Sequence, residues 1–133
     1  MQSAVSHSKL SKAIRAKVGA TLVTSHGVML SGYNGTPSSL DNVCEYVTPE
    51  GFVTKPEVIH AEVNAVLKAA KEGVSCYGST VYVTLSPCVS CSAMLINAGI
   101  SRLVYLDQYR KTEGLELLEK AGILVERYSD SIF

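Results

Sequence analysis

Four residues in two short stretches have the types and spacing for hydrolytic metal chemistry. They are His60 and Glu62 in VIHAEVNAVLKAA, and Cys88 and Cys91 in TLSPCVSCSAMLINAGI. An imidazole and two thiolates can hold a zinc ion with its fourth position open, and a carboxylate two residues past the imidazole can move protons there without ligating the metal. A Cys-x-x-Cys pair alone fits zinc, redox chemistry or chance, whereas a redox pair has no use for a coupled histidine and carboxylate. A closed structural zinc site would want a fourth protein ligand, and this motif offers the non-ligating carboxylate of Glu62 instead.

The pattern H-x-E with P-C-x-x-C is the signature of zinc deaminases of nucleobases, in which water displaces ammonia at C4 of cytosine or C6 of adenine. The elements around it must bring the two stretches together. Pro56 followed by EVIHAEVNAVLKAAKEG reads as a helix ending at Gly73, with Ile59, Val63, Val66, Leu67 and Ala70 on its apolar stripe. In a regular helix, residues two apart point about 200° from each other. A site using both His60 and Glu62 therefore sits at the start of that helix, where the dipole also favours anionic thiolates. Cys88 and Cys91 open a second helix over residues 88–98, ending at Gly99, directly after a β-branched strand over 79–85 that Ser86-Pro87 stops. The carboxyl end of a strand is where an α/β sheet presents ligands.

The remaining chain supplies the rest of such a sheet. SHSKLSKAIRA predicts a short amphipathic helix over 6–16, capped by Ser6 or Ser8, with Leu10, Ala13 and Ile14 on one face. Apolar runs at 18–24 and 28–33, split by His26-Gly27, predict a hairpin. Residues 35–56 carry three prolines, two glycines and no sustained period, which predicts a long loop leaning over the site. A strand at 102–106, a helix at 112–122 and a strand at 123–128 follow. The expected fold is α/β, a mixed five-stranded sheet between two helical layers, in a single domain over residues 1–133 with no internal repeat.

At 133 residues the chain is long enough to bury a core without metal, so a zinc ion here is expected to do chemistry. Twelve basic residues balance twelve acidic ones, which gives no electrostatic reason to expect a nucleic-acid polymer as partner. The first twenty residues lack the apolar core and cleavage pattern of a secretory signal, and no apolar run approaches a membrane span, so the expected location is the cytoplasm with no membrane partner. In that reducing compartment a close cysteine pair reads as metal or redox rather than disulfide.

The blocks VGATLV, GYNGTPSSLDNVCE, IHAEVNAVLKAA, VYVTLSPCVSCSAMLINAGI, LVYLDQYR and GLELLEKAGILVE, in that order, resemble the deoxycytidylate (dCMP) deaminase family, particularly its compact phage and bacterial forms. They cover nearly all the chain after residue 17. GYNGTP discriminates, because nucleoside deaminases and editing deaminases share the zinc motifs without it. The resemblance implies the cytidine-deaminase-like fold and hydrolysis of dCMP to dUMP and ammonia, which supplies thymidylate synthesis, without separating dCMP from dCTP as substrate. It implies one catalytic Zn²⁺ per subunit on His60, Cys88 and Cys91, with Glu62 as proton shuttle. Asn34 would bond the deoxyribose, Thr36 would line the nucleotide entrance with Gly35 and Pro37, Ser86 would meet the base near its amino group, and Tyr109 and Arg110 would sit at sugar and phosphate. Lys17 or Arg15 is a second phosphate candidate. A homohexamer follows too, with dCTP and Mg²⁺ activating and dTTP inhibiting, the effector using Gly35, Pro37 and Lys17. The host cytoplasm is the location if the chain is phage-encoded.

Plainer readings stand beside these. Asn34-Gly35 is also ordinary turn chemistry, Tyr109 also fits a packing role, and Arg110 with Lys111 also fits a solvated loop end. The chain has Ser39 where the family often has glycine, so a loop needing positive φ there is strained or reshaped. Some relatives hold a second, structural zinc; the leftover Cys44, Cys76, His7 and His26 are scattered along this chain. Two other functions share the zinc motif: deamination of a nucleoside or of a base in tRNA or another nucleic acid, and a non-catalytic zinc-stabilised nucleotide-binding module.

Overall fold

The computed structural model describes residues 1–129; residues 130–133, part of the expected single domain, lie outside the described residues. The elements run α1 (Gln2–Ser8), β1 (Gly19–Val23), β2 (Met29–Tyr33), β3 (Glu45–Thr48), β4 (Gly51–Thr54), α2 (Ala61–Glu72), β5 (Thr80–Leu85), α3 (Val89–Ala98), β6 (Arg102–Asp107), α4 (Glu113–Lys120) and β7 (Leu124–Arg127). β1 is buried over nearly its whole length because both of its faces are covered. It pairs antiparallel with β2 and with β5. β5, β6 and β7 continue in parallel, which gives the order β2-β1-β5-β6-β7. The expected mixed five-stranded sheet is therefore observed.

Helices cover both faces. On one, Thr21 donates to Ser3 of α1 at 3.0 Å, and its hydroxyl lies 2.8 Å from that of Ser31. On the other, Ala61 and Ala65 of α2, Leu95 of α3 and Leu118 of α4 form one core with Leu22, Val81, Val83 and Leu103 of the sheet. No helix of the described residues is long and apolar enough to cross a membrane.

Three expectations need correction, over the N-terminal helix, the stretch 35–56 and α2. The N-terminal helix occupies Gln2–Ser8 rather than 6–16. Leu10 and Ile14 have helical spacing but are 53% and 62% exposed, and an exposed stripe offers no tertiary packing to hold so short a helix. The stretch 35–56 is not structureless, because β3 and β4 form a hairpin closed by Pro49-Glu50. α2 begins at Ala61, five residues after Pro56. Its buried face is Ala61, Glu62, Ala65 and Ala69, while Leu67 and Ala70 of the expected stripe are exposed. The reason is distance: a Cβ on Gly32 of β2 would lie 2.7 Å from the Ala65 nitrogen and 2.8 Å from the Ala61 oxygen, so only small residues fit between this helix and the sheet. Among the described residues no non-glycine has positive φ, so the loop at Ser39 is reshaped rather than strained.

Candidate active site and metal centre

Two helix N-termini converge on the site. His60 is the N-cap of α2, with φ −70° and ψ 155°, and Cys88 is the N-cap of α3, with φ −75° and ψ 173°. These extended caps remove the difficulty of the two-residue spacing: His60 stands outside the helical screw and Glu62 in its first turn, so the two side chains turn to one side. His60 Nδ1 lies 3.9 Å from Glu62 Oε1. The same nitrogen is 3.1 Å from Cys91 Sγ and 3.7 Å from Cys88 Sγ. The three ligand atoms lie within 4.8 Å of one another, the one such cluster of histidine, cysteine and acidic groups among the described residues. Cys44, Cys76, His7 and His26 form no second one.

The donor set fits zinc. Tetrahedral bonds of about 2.0–2.3 Å place neighbouring ligand atoms about 3.5 Å apart, close to the separations here. Three protein ligands leave a fourth position open. Protons are unevenly shared among these groups. The hydrogen bond from Cys91, then that with His60, holds the Cys88 thiol down to about 3, so Cys88 is a thiolate. Cys91 is pushed up because it is the donor to Cys88 and is buried. His60 is raised, first by Cys88 and then by Glu62, against burial. Cys88 dominates although Cys91 is the nearer sulfur, because Cys88 carries the charge. Both helix dipoles favour that negative charge. Glu62 is 3% exposed, and burial raises its carboxyl against the opposing effects of Cys91 and His60.

His60, Glu62 and Cys88 line a cavity of about 540 Å³ together with Asn34, Ser86, Tyr109 and Arg110. That volume suits a drug-sized or nucleotide-sized ligand. Val18, Val58, Leu85 and Pro87 supply apolar wall, and Arg15 and Arg110 supply cations. The stretch 35–56 contributes Cys44, Glu45 and Thr54 to the wall.

Other predicted residues are placed differently. Both ends of the Asn34 amide are occupied by backbone: Oδ1 accepts from Val18 N–H at 2.9 Å and Nδ2 donates to Ala16 O at 2.8 Å. Gly35 exchanges two backbone hydrogen bonds with Ile59, at 3.1 and 2.8 Å, and Asn64 Nδ2 donates to Tyr33 O, so the GYNG segment braces the turn that carries His60. Thr36 donates to the Asp41 carbonyl. Thr36, Gly35 and Pro37 do not line the cavity, and Lys17 lines a separate one of about 260 Å³ with Ser8 and Asp107. Ser86 Oγ accepts from Tyr109 N–H at 2.6 Å, which ties the Tyr109-Arg110 segment to the metal turn.

Glu45 and Gln108 were not singled out from sequence. Glu45 is 7% exposed and accepts from the backbone N–H groups of Ile14 and Arg15, at 2.8 and 3.2 Å, fixing Arg15 at the cavity. Arg15 in turn donates to Thr54 at 3.2 Å. A buried carboxylate that serves residues thirty positions away leaves no local pattern.

Residues 1–107 match the family described as the cytidine and deoxycytidylate deaminase zinc-binding region. The chain is 33% identical to the deoxycytidylate deaminase of Enterobacteria phage T4 over 89% of its own length and 82% of that protein's. It is also 33% identical to the human deoxycytidylate deaminase, over 89% of its own length and 71% of that protein's. Its fold matches a crystal structure of the dCMP deaminase from cyanophage S-TIM5, in complex with dCMP and dUMP, with a TM-score of 0.88 and 41% identity over 96% of this chain and 92% of that one.

Proposed function

From the premise that the chain belongs to the cytidine and deoxycytidylate deaminase family, we propose that it converts dCMP and water to dUMP and ammonia, as a single zinc-dependent deaminase domain over residues 1–133. The observation that carries this reading is the joining of a His-Cys-Cys donor set, a buried glutamate and two arginines around one nucleotide-sized cavity.

His60, Cys88 and Cys91 would hold one zinc ion per subunit, and the ion would supply the Lewis acidity that makes water reactive near neutral pH. In the overall reaction the water oxygen bonds to C4 of the cytosine, the C4–N4 bond breaks and ammonia leaves. Glu62 relays the two protons that water gives up, one to N3 of the ring and one to the departing amine, which leaves uracil protonated at N3 and free ammonia. Burial raises its carboxyl, which suits a group that must both accept and donate near the working pH. The apolar wall of Val18, Val58, Leu85 and Pro87 excludes bulk water from the ring. Tyr109, held by Ser86, and Arg110 face sugar and phosphate, and Arg15 adds a second cation for the phosphate. Asn34 shapes the sugar end by holding residues 16–18, and its second N–H and second oxygen lone pair are the groups that meet the deoxyribose. Thr36 belongs to the entrance.

Further proposals concern regulation and assembly. The protein forms a homo-oligomer, a hexamer, which would cover outward apolar side chains such as Leu67 of α2 and Val89 and Met94 of α3. dCTP with Mg²⁺ activates it and dTTP inhibits it, with Gly35, Pro37 and Lys17 at the effector, and dCTP is also accepted as substrate. It works on free nucleotides in the cytoplasm, that of the host if it is phage-encoded.

Turnover of dCMP, deoxycytidine and a short oligonucleotide separates this reading from its rivals. Rapid ammonia release from dCMP, with weak release from the other two, is expected. Strong activity on the nucleoside with none on dCMP overturns the proposal.

A further inference from the structure

We propose that Gly114, at the start of α4, is a positioning residue that seats the Cys88 turn for metal binding. The inference rests on Cys88 being a metal ligand.

Glycine is among the least favourable residues inside a helix. Gly114 is the second residue of α4, and its φ lies outside the left-handed region that would call for glycine. The reason for it is space. A Cβ at this position would lie 2.1 Å from the Pro87 carbonyl oxygen, 2.9 Å from the Cys88 carbonyl carbon and 3.0 Å from the Cys88 oxygen. These are backbone atoms and cannot swing aside as a side chain would. Gly114 and Pro87 are both buried, so either α4 or the turn must move.

The same connection grips the turn at a second point. Ser86 N–H donates to Asp107 O at 2.9 Å, and Tyr109 N–H donates to Ser86 Oγ at 2.6 Å. Residues 107–114 thus hold residues 86–88 by two hydrogen bonds and one close backbone contact. Cys88 makes no side-chain cap bond to its own helix. The path of its backbone, which this connection supports, brings its sulfur to His60 and Cys91. Ligand distances in metal sites match their standard values to within about 0.2 Å, and relief of a 2.1 Å contact with the Pro87 oxygen demands a larger shift than that.

The test is zinc retention by the folded holoprotein against a chromogenic chelator, with Gly114→Ala and a control, Ile123→Val, which trims a core residue away from the turn. Loss of outer support to a ligand typically lowers metal affinity about 10- to 100-fold. Gly114→Ala is expected to fall at least about tenfold, and to alter the thiolate-to-metal absorption of the cobalt-substituted protein. Ile123→Val is expected to change neither. Unchanged affinity in Gly114→Ala, or an equal loss in both variants, overturns the proposal. If Gly114→Ala does not fold, Ser86→Ala decides: it removes one hydrogen bond of the grip without adding volume, so weaker zinc retention supports the inference and unchanged retention overturns it. Wild-type protein that binds no zinc defeats the metal assignment itself, an outcome distinct from zinc-binding wild type with an indifferent Gly114→Ala.

Discussion

Replacing Glu62 by glutamine is expected to lower activity and raise the stability of the metal-free protein. Glutamine keeps the volume of a side chain that is 3% exposed, so no cavity forms in the face that α2 presents to the sheet. What disappears is a proton acceptor 3.9 Å from His60 Nδ1. General acid–base catalysis contributes about 10²–10⁴ in rate, which is about 3–5 kcal/mol of barrier. kcat for dCMP should fall by that factor while bound zinc stays at the wild-type level, because Glu62 is not a ligand. The stability effect follows from burial, which raises the Glu62 carboxyl above its unfolded value. Stability from such a group is complete below the unfolded pKa and is lost as pH rises through the higher folded pKa. Glutamine does not titrate, so the metal-free variant should gain on metal-free wild type as pH rises above the ordinary carboxyl range, about 4, until the folded carboxyl is ionised. Urea unfolding at a series of pH values, with kcat and zinc content on the same preparations, reads all three quantities. A kcat within tenfold of wild type, or loss of zinc with the carboxylate, would refute the reasoning.

Gly32→Ala places a methyl group 2.7 Å from the Ala65 nitrogen, so α2 must lift from β2 and carry His60 and Glu62 with it. Overpacking of this kind costs about 1–3 kcal/mol, and misplacement of catalytic groups by about 1 Å costs about 10²-fold in rate; denaturant midpoint and kcat check both. Asn34→Ala removes the bond to the half-buried Val18 N–H and an exposed bond to the Ala16 carbonyl, an expected loss of about 0.5–1.5 kcal/mol, whereas a residue that only met the sugar would leave thermal stability unchanged and alter KM. Arg110→Ala should raise KM for dCMP by about 10- to 100-fold, as loss of a charge-assisted hydrogen bond does, while leaving the slower reaction of deoxycytidine unaffected.

The candidate metal cluster was legible because His60, Cys88 and Cys91 each sit inside a compact motif that also marks its element. Pro87 ends a strand and Cys88 starts a helix, so sequence spacing and spatial spacing coincide there. The parallel half of the sheet was legible for a similar reason, since β5, β6 and β7 alternate with helices that end near glycines. The N-terminal helix was not, because its sequence QSAVSHS is short and mostly polar and buries a single residue, Ala4. What seats it is a contact with the sheet rather than a pattern of its own. The β3–β4 hairpin was obscured by the density of proline and glycine around it, although Pro49-Glu50 separates two β-rich runs. The face of α2 misled in the opposite sense: its bulky residues suggested the core side, but the helix backbone approaches Gly32 closely and turns Ala61, Ala65 and Ala69 inward with Glu62. Glu45 and Ser86 act on segments distant in sequence, so their roles emerge only once the chain is folded.

The most direct measurement is ammonia release from dCMP by folded protein at graded zinc occupancy. The expected rate is proportional to bound zinc, up to one ion per chain, and vanishes in folded protein stripped of metal. Folded metal-free protein that turns over as fast as the holoprotein, or zinc-replete protein that releases no ammonia from dCMP, would contradict the assignment.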